Sequence, residues 1–235
     1  LRCPWACAYA FVVNPTRKLT DILQNIAVFA LPETVLFPGV VLPLHIFERS
    51  YRRMVADALA AHSCLVVAMA QPQTVTAAGL DPCEVGCVGR IIHSELLADG
   101  KYNILVQGIE RVRLLEEHAG LMPYRCFRAE PLPRPTAEAL EAAHDSWVRL
   151  RSCVCSLGAA AAHADQELVE VLRSTADPLE LTDILTAVLV REPAVQQRML
   201  ATTCLTTRID GLVESMVDAM ARYQSQPVDN RPELN

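Results

Sequence analysis

The sequence predicts an α+β protein, with a small, strongly bent β-sheet or pseudo-barrel holding one embedded helix, followed by an all-α helical bundle. Three observations carry that reading. Short β-type runs separated by turn signals fill the chain as far as residue 133, and three- and four-residue periodicity dominates afterwards. Between the two lies "EPLPRPTAE", whose Pro131, Pro133 and Pro135 no helix or central strand tolerates. The expected divisions are a poorly ordered extension over residues 1–25, a β-domain over 26–133, a helical domain over 134–222 and a tail over 223–235.

In the β-domain, "IAVFAL" reads as a strand and "TVLFPGVVLPLHIF" as two extended pieces broken at Pro38-Gly39. Pro followed by Gly suits a type II turn, in which Gly supplies the positive φ. Phe47, Tyr51, Met54, Val55, Ala58 and Leu59 then recur at helical spacing, with Arg49, Arg52, Arg53 and Asp57 on the wet face. Glu48 is placed to cap that helix and to pair with Arg52 four residues on. "LVVAMA" reads as a buried strand. The dipeptide Asp99-Gly100 marks a hairpin between strands at 85–97 and 101–108, and further strands follow at 110–116 and 124–130. That makes six or seven strands.

Helical periodicity then marks four or five helices. Leu140, Trp147, Leu150 and Val154 trace the first, behind Thr136 as N-cap. "DQELVEVLRS" is the second. Asp177-Pro178 opens the third, with Leu181, Ile184, Leu185, Val188 and Leu189 as its apolar stripe. Glu192-Pro193 ends it, and a short helix at 193–200 follows. The last helix lines up Ile209, Leu212, Val213, Met216, Val217 and Met220, a stripe read as core.

Composition excludes several functions. Half the residues are apolar (51%), which suits a packed core rather than disorder. No run of about 18 apolar residues exists, so no transmembrane helix is expected. The N-terminal "LRCPWACAYAFVVNP" has one basic residue ahead of a short apolar core, a weak signal-peptide pattern. Lys and Arg number 9 against 11 acidic residues over 26–133, and 8 against 13 over 134–222, so neither half shows the basic excess of a phosphate binder. The nine cysteines are odd in number and irregularly spaced, which favours free thiols in a reducing cytoplasm over a disulfide framework.

Catalytic signatures are missing. There is no G-x-x-x-x-G-K-[ST] and no G-x-S-x-G, and Lys18 and Lys101 are the only lysines. Cys3/Cys7 and Cys83/Cys87 fall within zinc spacing, but Cys87 lies in a strand pattern with no histidine at ligand distance. His45 reads as a satisfied core imidazole, and His93 and His118 have no predictable partner. No cofactor and no metal are expected.

Taken together, "LPETVLFPGVVLPLHIFERSYRRMVADAL", "EVGCVGRI", "DGKYNILVQGIERVRL" and "PYRC" resemble the amino-terminal substrate-binding domain of Lon proteases. "DPLELTDILTAVLV" and "QQRMLATTCLTTRIDGLVESM" resemble the helical half that follows it. The resemblance spans residues 26–222. It departs at Arg49, where free-standing members of the family often have Pro at the helix start. The resemblance implies a PUA-like β-domain, a helical bundle and a non-catalytic module for unfolded or tagged polypeptides or a partner protein. Under that reading Phe37, Pro38, Arg52 and Arg53 are the candidate polypeptide contacts. PUA-like folds also bind RNA, and under that alternative Arg111, Arg113, Arg125 and Arg128 are the candidate contacts, provided strands 110–116 and 124–130 pair. Oligomeric state is left open, as is a small-molecule pocket.

Overall fold

The computed structural model describes residues 19–76, 79–118, 120, 122–160 and 177–225. Among these residues seven strands form the first half: β1 (Ile26–Leu31), β2 (Val41–Ile46), β3 (Cys64–Thr76), β4 (Gly79–Pro82), β5 (Val85–Leu96), β6 (Tyr102–Glu117) and β7 (Cys126–Pro131). The sheet runs β1-β7-β6-β5-β3-β4, and β1 also pairs in parallel with β3, Val28 facing Val66. That pairing closes five strands into a barrel. β2 lies outside the ring on β6, and β4 on β3. The parallel step needs a crossover, supplied by β2 and a helix, α2 (Arg49–Ala61).

Alternation along the strands yields two apolar layers. Val28, Val66, Val88, Val112, Leu114 and Ala129 fill the barrel interior. Phe29, Leu65, Val67, Ile91, Ile104 and Val106 point the other way, into a layer covered by Met54, Val55 and Ala58 of α2. Burying Met54 and Val55 contributes about 1.5–3 kcal/mol each. A short helix, α1 (Leu19–Ile22), begins inside the expected extension, and Ile22 and Leu23 plug the barrel core. Ile22 and Leu23, although they fall within the expected extension, thus pack as part of the barrel core.

Several expectations are corrected here. The strands expected at 101–108 and 110–116 are one bent strand, β6, because its register shifts are absorbed as bulges against β5 and β7. Phe47 is 60% exposed rather than on the buried face of α2, since the backbone is still outside the helix there. Glu48 is the N-cap but its side chain makes no cap bond. Arg52 does not pair with it; its Nη1 donates to the Gly100 carbonyl at 3.1 Å and holds the β5–β6 hairpin tip against α2. The i,i+4 pair on this helix is Arg53–Asp57, at 2.9 Å. His45 is exposed and bonds Asn103 at 2.8 Å, so it is no core imidazole. His118 reaches the Gln24 carbonyl at 2.9 Å.

The helical half comprises α3 (Ala137–Ala142), α4 (His144–Ala160), α5 (Pro178–Leu189), α6 (Pro193–Ala201) and α7 (Leu205–Ser225). Thr136 caps α3 and Asp177 caps α5, each side chain accepting a backbone N–H. The expected first helix is thus two, broken at Ala143, and Leu140 is 39% exposed. The helix expected at "DQELVEVLRS" lies outside the described residues, as does the side chain of Met220. On α5, Leu181 and Leu185 are buried as expected, but Val188 is exposed and Thr182, Asp183 and Thr186 take the buried face. The reason is that α5 packs on two sides, against α7 and against the barrel. On α7, Ile209, Leu212 and Met216 are core while Val217 is exposed.

Candidate functional site

The two halves meet along a seam. Its apolar part joins Phe37, Val85 and Leu132 of the β-half to Leu200 of α6. The turn at Pro38-Gly39 bends the backbone against it: Gly39 has φ +80°, and Val40 N–H donates to the Phe37 carbonyl at 3.2 Å. Gly108 on β6 must lack a side chain, because a Cβ there would overlap the Phe37 carbonyl. Beside this contact lies a cleft of about 260 Å³, walled by Pro38, Gly39, Ile109, Leu132, Pro133, Pro135 and Leu179. The proline-rich junction is therefore one wall of the cleft as well as a connector.

The floor is charged. Arg111 of β6 donates to Asp183 Oδ1 of α5, and Arg208 of α7 donates to the same oxygen at 3.1 Å. All three residues are buried, at 8%, 4% and 4% exposure. Arg111 also reaches the Thr202 carbonyl at 3.4 Å and lies over the Phe37 ring, 5.9 Å from its centroid. The Nε atoms of Arg111 and Arg208 are buried without a hydrogen-bond partner. Burial pulls Arg208 down to about 10, and the Arg111 charge pushes the same way. Burial likewise lowers Arg111 and raises the Asp183 carboxyl, while the opposite charges pull each back. At the rim Arg134 pairs with Glu110, and Asp177 and Glu180 complete the mouth.

The sequence-derived site residues are dispersed. Phe37 is fully buried under Arg111 and presents nothing to a ligand. Pro38 lines the cleft. Arg52 is spent on the hairpin, and Arg53 is exposed beside Asp57. The strands holding the four candidate RNA contacts do pair, but those arginines do not gather. Arg111 is in the seam, and Arg113 pairs with Glu84 at 3.4 Å. Arg125 is held between Asp81 and Glu117 at 2.7 and 2.6 Å, and Arg128 is exposed opposite Glu116. Acidic residues interleave with them, so that face carries no basic stripe.

Asp183 and Arg208 were not singled out in the sequence. By helical periodicity Asp183 falls on the side of α5 opposite its apolar stripe, where a charge reads as solvated, so its burial carried no local signal. Among the described residues no group of three His, Cys, Asp or Glu side chains is placed to hold a metal ion. No described helix is long and apolar enough to cross a membrane.

Comparison with known proteins agrees with this architecture. Residues 25–218 match the model of the ATP-dependent protease La (LON) substrate-binding domain. Lon protease 2 of Syntrophobacter fumaroxidans is 34% identical over 127 residues, 53% of this chain and 16% of that protein. Lon protease of Roseiflexus castenholzii is 29% identical over 209 residues, 83% of this chain and 24% of that protein. The protein thus spans a quarter or less of the length of these relatives. Among solved structures, the N-terminal domain of Mycobacterium avium complex Lon protease superposes with a TM-score of 0.64 at 19% identity, covering 83% of this chain and 99% of that one. A Lon N-terminal domain protein from Xanthomonas campestris gives 0.55 at 18%, covering 81% and 97%. These likenesses show the fold, a barrel-like sheet with a helical half. With the family model matching most of its length, the chain belongs to the Lon substrate-binding domain family.

Proposed function

We propose that this protein is a non-catalytic polypeptide-recognition module, an adaptor or quality-control factor that holds unfolded or tagged polypeptides. Its family membership carries the reading, and the cleft between the two halves supports it. Apolar and proline walls over a polar floor suit an extended segment better than a folded surface. The match is to the substrate-binding domain, so no ATPase or protease chemistry is assigned to these residues. The free thiols Cys64, Cys83, Cys87, Cys126, Cys153 and Cys204 suit a reducing cytoplasm. No observation favours the RNA alternative.

The test is calorimetric titration of the protein with a heat-denatured protein and with the same protein folded. Binding to the denatured form alone is the expected result. Equal binding to both, or to neither, refutes the reading. A parallel titration with single-stranded RNA at low and high salt reads the alternative directly, since phosphate contacts produce a steep salt slope.

A further inference from the structure

The floor of the cleft holds more positive charge than its described partners neutralise. Two guanidiniums, Arg111 and Arg208, share a single oxygen of Asp183, and each retains a buried Nε with no partner. Removing a cation from water without a full complement of acceptors is costly, and the lowered Arg208 shows that cost in its proton affinity. The acids at the mouth repair the deficit only in part, the Glu110 charge offsetting some of that on Arg111. Glu110 is engaged with Arg134, Asp177 accepts the Leu179 N–H at the start of α5, and Glu180 is exposed beside Gly39. Size narrows the occupant further. At about 260 Å³ the cleft falls just below the roughly 300–1,000 Å³ of ordinary ligand pockets, so it fits one side chain or the end of a polypeptide.

We propose that the cleft is a carboxylate subsite, in which Arg208 and Arg111 take the carboxylate of a client polypeptide while Pro38, Ile109 and Pro133 contact the apolar part next to it. The carboxylate comes from an acidic side chain or from the free carboxyl terminus of the client. This proposal rests on the polypeptide-recognition reading and specifies its chemistry. Guanidinium is the right partner, since its planar donors match a carboxylate edge. Glu180 at the mouth opposes the same charge, so the subsite discriminates by depth: a carboxylate must enter past Glu180 to be bound.

The experiment uses three N-acetylated peptides of alanine and leucine, identical except for their charge, titrated calorimetrically into the protein. One ends in a free carboxylate, one in a carboxamide, and one in a carboxamide with a single internal Glu. At least tenfold tighter binding of one or both acids than of the neutral peptide is expected, and which acid wins identifies the source. Arg208→Gln is expected to abolish that preference, and Glu180→Gln to tighten the acidic peptide two- to threefold. The acid-against-amide comparison needs only the wild-type protein, so a variant that fails to fold leaves the test intact. Equal binding of all three peptides, or binding of none, overturns the subsite. If heat-denatured protein still binds in either case, the recognition reading stands without it; if that binding is also absent, both fall.

Discussion

At the seam two guanidiniums, Arg111 and Arg208, meet one carboxylate, whereas at the far edge of the barrel one guanidinium, Arg125, meets two, Asp81 and Glu117. The edge site is fully satisfied. Arg125 uses Nε, Nη1 and Nη2 as donors, adds the Leu80 carbonyl at 3.0 Å, and lies 5.2 Å from the Phe127 ring centroid. Its partners keep about a third of their surface in water, and hydrogen bonding to Glu117 raises its proton affinity. The seam arginines are buried, bonded at fewer atoms, and shifted the other way. The contrast teaches that ion pairs of similar length differ in kind according to what water can reach. The edge pairs fasten a loop, whereas the seam cluster holds two halves together around an excess charge.

The sharpest way to break this contrast is Asp183→Ala. It leaves two buried cations facing each other and is expected to cost about 3–5 kcal/mol in urea denaturation, as removing one partner of a buried pair does. A loss below about 1 kcal/mol would mean the seam is wet and no different from the edge. Next comes Arg125→Met, expected to cost about 1–2 kcal/mol, with part of that cost disappearing in 1 M salt because its partners are solvated. The Asp183→Ala cost should not respond to salt. Arg208→Met leaves Arg111 and Asp183 as a one-to-one pair, so its effect is expected to lie within about 1 kcal/mol of zero. If it costs as much as Asp183→Ala, the excess charge is not a strain and the cluster is balanced by another group.

The smallest effect concerns thiol chemistry, read by alkylation and peptide mass mapping. Cys204 is exposed, and a Thr207 hydrogen bond lowers its thiol, so among the described thiols it is expected to react first. Cys87 is buried against the seam, where burial pushes its thiol up to about 12, and it should stay protected in the folded protein. Faster labelling of Cys87 in Asp183→Ala, with Cys126 at the far edge unchanged, would show that the seam alone has loosened.

Much of the local structure was legible in the sequence, and for one reason. Pro38-Gly39 as a turn, Asp99-Gly100 at a hairpin tip, Thr136 and Asp177 as caps: each is decided by interactions within about four residues. The candidate site was far less legible. Phe37 is a candidate polypeptide contact under the family resemblance, yet it is fully buried. Arg52 looked like a surface charge, yet it bonds Gly100 from 48 residues away. Arg111 read as one of a basic series, and its partner Asp183 lies 72 residues further along.

The sequence by itself determined the order and kind of most described elements and the family. Periodicity and turn chemistry are local, and they specify which residues share a face of a helix or strand. What covers that face was decided only by the tertiary structure. The parallel β1–β3 pairing closed the barrel, α5 was turned so that Asp183 faces inward in place of Val188, and the seam brought Arg111, Asp183 and Arg208 beside a proline-walled cleft. Those outcomes depend on contacts between residues far apart in sequence, which no short window of residues contains.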